Sequence, residues 1–228
     1  MRVGRAGRIA AWLVGAIVLM LVLAQLFLPT IAASRVRSRV EKYGTVKSVT
    51  VDAWPAVELL WGKAESVNVK AGSLQISAAQ MAKLLGEARG VKSMRVSAES
   101  VKEGPLQLYD ASLQKHGDAL LGAAWASRAD VKTALGEGFE VQLQPSGAGR
   151  VQMCVEGGLF GVKAAVQAVA EAQEGDVVVH PLGFLLEGLK LTLFAEPEVY
   201  VEGVGASVAA GPSGKGAGYR LSFRASLR

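Results

Sequence analysis

The sequence predicts an α+β domain with a mainly antiparallel β-sheet, preceded by one N-terminal transmembrane helix. Three observations predict this class. Residues 9–33 form an apolar run interrupted only by Gln25, Pro29 and Thr30. Later apolar residues mostly alternate with polar ones, and two short segments carry helix N-capping patterns. Strict alternation is typical of a half-buried strand, whereas a helix repeats its apolar face every three to four residues.

The apolar run has the length of a membrane anchor. About 20 helical residues cross a ~30 Å hydrocarbon core, and residues 9–33 number 25. A cleaved signal peptide usually has an apolar stretch of only about 7–15 residues. We therefore expect a retained anchor over residues 1–33 and one domain over residues 34–228. The small residues of Thr30-Ile31-Ala32 keep signal-peptidase cleavage as the alternative.

The basic charge of the chain lies around this anchor. Residues 1–42 hold seven Lys or Arg and one acid, and the remaining 186 residues hold 18 basic and 19 acidic residues. A nucleic-acid-binding domain needs basic residues on its folded surface. Basic residues beside a membrane helix instead meet anionic lipid head groups. We therefore expect the chain to contact membrane and not nucleic acid.

The N-terminal tail indicates which side of the membrane the domain occupies. Residues 1–8 carry three arginines and no acid, as in the n-region of a signal anchor. This pattern places the domain on the extracytoplasmic side of the cytoplasmic membrane, with a single pass. Residues 35–42 are also basic, so a reversed anchor with a cytoplasmic domain is the alternative.

The strands are predicted from apolar residues at a spacing of two. One apolar face on each strand favours an antiparallel sheet over a parallel sheet covered on both sides. The alternating sets are 49, 51, 53; 67, 69, 71; 94, 96, 98; 106, 108; 139, 141, 143; 151, 153, 155; 189, 191, 193; 199, 201; and 219 to 227.

Helices and turns are predicted from local capping and turn residues. Ser77 with Gln80, and Ser127 with Asp130, have the spacing of reciprocal N-caps. A third helical stretch, residues 35–43, continues from the anchor. The Gly-rich residues 211–218 are expected to join the last two strands, because their Lys is not followed by Ser or Thr as in a phosphate loop.

Candidate catalytic residues are sparse. His116 and His180 are the only histidines and have no partner at metal-ligand spacing, and the lone Cys154 is expected to be a small buried side chain. Glu196 and Glu198 bracket a proline, which favours a turn over a catalytic pair. The sequence therefore predicts a protein that is not an enzyme and needs no metal or cofactor.

The most distinctive segment runs from residue 46 to 74. A strand leads into Trp54-Pro55, an apolar turn Leu59-Leu60-Trp61 ends at Gly62, and a strand with Glu65-Ser66-Val67-Asn68-Val69 follows. This order resembles the LmeA-like family of actinobacterial phospholipid-binding envelope proteins, which usually has Phe where this chain has Trp54. The similarity continues through Val96 to Val101, Gly104-Pro105 and the capped helix at Ser127, and covers about residues 35–145.

The resemblance implies a tubular lipid-binding-like fold, in which a curved antiparallel sheet wraps one or more helices and leaves an apolar groove. It also implies a phospholipid or another acyl-chain lipid as partner and a role in cell-envelope lipid handling. Burial of each CH₂ group contributes about 0.8 kcal/mol, so lipid binding needs no catalytic residue. The candidate lipid-binding residues are Trp54, Leu59, Leu60 and Trp61 at the aromatic-Pro corner, and Phe184, Leu185, Leu186 and Leu189 in the apolar segment 182–194.

A second function fits the same sequence. A membrane-tethered structural or interaction domain of the envelope, with no lipid ligand, would bind another protein through a sheet edge or the apolar corner. The sequence identifies no such protein. The two functions differ in whether the apolar face closes on itself or opens as a groove.

Overall fold

One long helix precedes two β-sheets. The structure is a computed structural model and describes residues 5–135, 139–144, 149–159, 162–182 and 190–228. Its helices are α1 (Arg5–Val40), α2 (Ala78–Glu87) and α3 (Arg128–Leu135). Its strands are β1 (Gly44–Asp52), β2 (Ala64–Gln75), β3 (Val91–Glu103), β4 (Leu106–His116), β5 (Ala119–Ser127), β6 (Phe139–Gln144), β7 (Arg150–Leu159), β8 (Val162–Gln173), β9 (Asp176–Leu182), β10 (Leu191–Phe194), β11 (Val199–Ala210) and β12 (Ala217–Leu227).

The larger sheet has seven strands in the order β1-β2-β3-β4-β5-β12-β11. Its neighbours pair antiparallel except β2 and β3, which are parallel. A parallel pair needs a crossover connection, and α2 supplies it. The prediction of an antiparallel sheet is therefore correct for every pair in this sheet but the one that α2 connects.

The smaller sheet has five strands in the order β10-β9-β8-β7-β6, all antiparallel among the described residues. It meets the larger sheet along β11, where the Val201 amide donates to the Gly175 carbonyl at 2.8 Å and the Val204 amide to that of Gly149 at 3.1 Å. Each sheet keeps two edges and does not close on itself. The predicted α+β class with an N-terminal apolar helix is confirmed.

Three strands lack the alternation that revealed the others. Strand β5 reads ALLGAAWAS, β8 is rich in Ala, and β9 has three consecutive Val after its first residue, Asp176. Each lies between two other strands of its sheet. Because apolar or small residues occupy consecutive positions in these segments, they lack the spacing of two that would reveal a strand.

The first helix is both an apolar helix and part of the domain. It is continuous from Arg5 to Val40 and so crosses the predicted boundary at residue 33. Its half-buried positions repeat along one face, and Ala32, Ala33, Val36 and Val40 pack against the core. Among the described residues, this one helix near the N-terminus is long and apolar enough to span a membrane.

One exposed ion pair joins the end of this helix to α2, and a second lies at the end of the helix itself. Arg39 forms an ion pair with Glu87 at the end of α2, and Arg37 pairs with Glu41 at 2.7 Å. Both arginines thus contact carboxylates of the chain itself, and contact of the basic residues beside the anchor with lipid head groups stays a prediction. The predicted helical stretch at residues 35–43 is confirmed as the end of α1 and a short 3-10 helix, Glu41–Tyr43.

Candidate functional site

An apolar groove lies between α2 and the inner face of the larger sheet, and strands β9 and β10 each contribute a residue to its lining. Its volume is about 360 Å³. Twenty-one of its 25 lining residues are apolar, and the other four are Ser77, Glu103, Ser112 and Ser222. The apolar residues are Leu74, Ile76, Ala78, Met81, Ala82, Leu85, Val96, Ala98, Val101, Leu108, Ala111, Leu113, Leu120, Ala123, Ala124, Val177, Phe194, Val199, Val201, Leu221 and Phe223.

Helix α2 forms one wall because its N-terminus is held at two points. The Ser77 hydroxyl accepts a hydrogen bond from the Gln80 amide at 3.3 Å, and the Gln80 side chain accepts one from the Ser77 amide at 3.0 Å. The Glu103 carboxylate on β3 accepts from the Ala78 amide at 2.7 Å. A carboxylate at this end also interacts favourably with the helix dipole. The predicted cap at Ser77 is confirmed.

The larger sheet forms the opposite wall. Partway along β3 and β4, the inward-facing side chains shift from every second residue to the third. The groove is lined by Ala98 and then Val101 on β3, and by Ala111 and then Leu108 on β4, so the spacing is three instead of two. Ala98 pairs with Ala111, and Val101 pairs with Leu108. Asp110 between them has a φ of 46°, and the β4–β5 register shifts there. Such irregularities bend a strand, and a bent sheet leaves room between itself and the helix.

One end of the groove adjoins a polar depression. Ile76 and Ser77 line both the groove and this depression. Lys42 and Lys102 are among its other lining residues. The combined surface is apolar along the sheet and polar at one end, where two ammonium groups and the Glu41 carboxylate lie, and this matches the distribution of polarity in an amphiphile.

The four predicted residues at the corner do not line the groove. Trp54, Leu60 and Trp61 are exposed by 71%, 66% and 70%, while Leu59 is half-buried against the core. Residues 56–61 form a 3-10 helix at the end of the sheet where β1 ends and β2 begins. The corner is therefore a separate surface, and contact of its residues with lipid stays a prediction.

The other four predicted residues, at positions 184, 185, 186 and 189, lie outside the described residues. The described end of the same apolar segment reaches the groove through Phe194. Leu191 and Leu193 in β10 are exposed by 62% and 58%. The segment thus contributes one identified residue to the groove.

Sequence reasoning missed most of the residues that line the groove. Val67, Val69 and Ala71 were recognised as alternating, but the next inward residues, Leu74 and Ile76, follow after a spacing of three. The same change separates Ala98 from Val101. In both strands the spacing of the inward apolar residues changes from two to three, and the residues at the change are register partners. This shared change is a sequence signal for a bent sheet, and it could have identified this end of the groove.

The described residues contain one fully buried charged side chain. Lys115 on β4 is 2% exposed and donates a hydrogen bond to the Val91 carbonyl. Burial lowers its pKa below the usual 10.5, and the nearby Asp118 carboxylate opposes part of this shift. Lys115 does not line the groove. Lys115 therefore contributes to the packing and hydrogen bonding of the core and not to the groove surface.

The residues considered for metal or catalytic chemistry are dispersed. His116 is exposed, His180 and Cys154 are half-buried, and the three lie on β4, β9 and β7. Among the residues that the structure describes, no group of three or more His, Cys, Asp or Glu side chains is arranged to hold a metal ion. Comparison with known protein families, with curated proteins and with solved structures finds no match to this chain.

Proposed function

We propose that this protein is a membrane-anchored, extracytoplasmic phospholipid-binding protein that holds acyl chains in the groove and takes part in envelope lipid handling. The observation that carries the proposal is the groove itself. Protein interiors are close-packed, with few voids larger than a water molecule. A cavity of about 360 Å³ lined by 21 apolar residues is instead within the size range of ligand pockets, about 300–1,000 Å³.

The chemistry of the lining favours flexible chains over a planar ligand. Phe194 and Phe223 are the aromatic residues in the lining, and the rest of the apolar surface is Ala, Val, Leu, Ile and Met. Each CH₂ transferred from water contributes about 0.8 kcal/mol. The ammonium groups of Lys42 and Lys102 beside the groove suit a phosphate head group. These features support a phospholipid without requiring a catalytic step.

Mass spectrometry of lipid that co-purifies with the full chain tests this proposal. The full chain is required because residues 32 and 33 of α1 pack against the core. Since detergent-solubilised anchors carry lipid of their own, the informative comparison is with Ala124→Trp, which fills the groove from β5. Leu121→Trp on the opposite face of β5 is the control, because Leu121 is 54% exposed and does not line the groove.

We expect the chain and its Leu121→Trp variant to retain the same stoichiometric phospholipid, and Ala124→Trp to lose it. Equal lipid content in all three proteins, with circular dichroism showing that all are folded, would count against the groove as the binding site. The interaction-domain alternative would then be favoured.

A further inference from the structure

The aromatic-Pro corner, residues 54–61, exposes three large apolar side chains together. Ala56 is 1% exposed and Leu59 packs against the core, so these two fix the turn on the domain. Trp54, Leu60 and Trp61 point away from the core and are exposed by 66–71%. A cluster of this kind on a soluble surface marks a site of contact with a partner or a membrane.

The corner packs against the first helix and is hydrogen-bonded to it at Gln25. The side-chain oxygen of Gln25 accepts a hydrogen bond from the Ala56 amide at 2.7 Å, and its nitrogen donates to the Ala53 carbonyl at 3.2 Å. Gln25 is the polar residue in the apolar run that precedes Pro29. Its two bonds hold the corner at the level of Gln25 along α1.

The surface of α1 changes at this level. Met20, Leu21, Val22 and Leu23 are exposed by 45–73%, although together they cover all sides of the helix. From Gln25 onward, one side packs on the domain and the opposite side stays exposed. A helix that is apolar on every side matches hydrocarbon, since its backbone groups are satisfied internally.

Helix length gives a membrane boundary that agrees with this change. The 20 residues from 9 to 28 span about 30 Å, which is the thickness of the hydrocarbon core. The boundary then lies within one turn of Gln25. If the whole apolar run to residue 33 were submerged, the boundary would lie about 12 Å beyond Gln25 and the domain's corner would be buried in hydrocarbon.

From these observations we infer that the corner inserts into the interfacial layer of the same bilayer that α1 crosses, as a second and peripheral membrane contact. Tryptophan concentrates at the membrane–water interface because its ring is apolar and its N–H is polar. Lys63, which follows the corner, is exposed and suits a phosphate at that depth. The partner of this surface is therefore a phospholipid bilayer, contacted independently of any lipid in the groove.

Quenching of tryptophan emission by brominated phospholipids tests this contact in the full chain. A Trp12→Phe variant removes the tryptophan of the anchor and leaves Trp54, Trp61 and Trp125. It is reconstituted in phosphatidylcholine–phosphatidylglycerol vesicles that carry bromine either near the head group or near the chain end. Trp125 is 1% exposed and serves as the internal reference.

We expect most of the emission of Trp54 and Trp61 to be lost with the shallow bromines and less with the deep ones. The further substitutions Trp54→Phe and Trp61→Phe should abolish this loss and leave the unquenched signal of Trp125. Stronger quenching by deep bromines would place the corner in the hydrocarbon, and absence of quenching would place it in water or against a protein. Either result overturns the inference.

The groove variant Ala124→Trp would add a further tryptophan and obscure the quenching of Trp54 and Trp61. Ala124→Phe serves instead, and it should lose groove lipid while the quenching of Trp54 and Trp61 persists. This experiment can thus reject the proposed membrane contact of the corner and the proposed lipid binding in the groove independently of each other.

Discussion

The ring of Phe223 on β12 lies directly over Gly122 on β5. The two residues are register partners, and a Cβ atom added at Gly122 would lie 1.9 Å from Cε1 of Phe223. Phe223 lines the groove and is 39% exposed. The absence of a side chain at position 122 therefore sets the position of one groove wall.

Gly122→Ala should destabilise the protein by about 1–3 kcal/mol, because the ring must leave its place. In a Phe223→Ala background the same change should be neutral or stabilising by up to about 1 kcal/mol, since Ala is favoured over Gly in a strand. Thermal unfolding of the four proteins followed by circular dichroism measures this coupling. Equal effects of Gly122→Ala in both backgrounds would show that the position of the Phe223 ring does not depend on the glycine.

The buried Lys115 predicts how stability depends on pH. Its folded-state pKa is lowered by burial, with partial opposition from Asp118, so the unfolded chain holds this proton to higher pH than the folded chain. Where the unfolded state binds more protons, the free energy of unfolding rises with pH. The destabilisation caused by burial of the charged Lys115 side chain is present at neutral pH and is relieved as the pH approaches 10.5.

Urea unfolding of the chain and of Lys115→Met between neutral pH and pH 10.5 measures how much Lys115 contributes to the pH dependence of the free energy of unfolding. The stability of the original chain relative to the variant should rise with pH. Lys63→Met, at an exposed lysine, is the control for general alkaline effects. A difference that stays constant or falls with pH would contradict desolvation of Lys115.

Gln25 should determine how firmly the corner is held. Gln25→Met leaves the Ala56 amide and the Ala53 carbonyl without their partner, at a cost of about 1–3 kcal/mol. Hydrogen exchange of the peptide that spans residues 53–61 should accelerate. Leu26→Met, on the exposed side of the helix, should leave exchange unchanged. Unchanged exchange in Gln25→Met would show that the docking of α1 does not rely on this side chain.

The apolar helix predicts firm membrane attachment. The full chain should fractionate with membranes and resist extraction by alkaline carbonate, because residues 9–28 are enough to cross the hydrocarbon core. N-terminal sequencing of the extracted protein should find Met1 or a residue close to it. A freely soluble protein that begins near residue 33 would instead indicate a cleaved signal peptide.

Local signals in the sequence predicted most of the elements. The caps at Ser77 and Ser127 are both present, with the Asp130 amide donating to the Ser127 hydroxyl at 2.9 Å. The turn at Glu196 is confirmed by the Val199 amide, which donates to its carbonyl at 3.1 Å. Each of these features depends on residues three or fewer positions apart, which is why the sequence alone could show them.

Features that depend on residues distant in the chain were not predictable in the same way. The glycines of segment 211–218 were interpreted as turn formers, and they do join β11 to β12. Gly211 and Gly218 also lie against the buried ring of Trp125, which donates a hydrogen bond to the Ala209 carbonyl at 3.3 Å. The position of the groove likewise depends on how β3, β4, β5 and β12 pair, which periodicity does not specify.

Because α1 is continuous, it sets the distance between the aromatic-Pro corner and the polar depression beside the groove. Glu41 lines the polar depression at the far end of the groove and lies 16 positions after Gln25, so about 24 Å of helix separates the two residues. If the corner lies at the bilayer surface as we infer, a head group bound near Lys42 would stand well outside the head-group layer of that bilayer. If the groove holds a phospholipid as we propose, that lipid would have left its membrane, and its exchange with that membrane would require travel along the groove or a second acceptor surface within reach of this outer end.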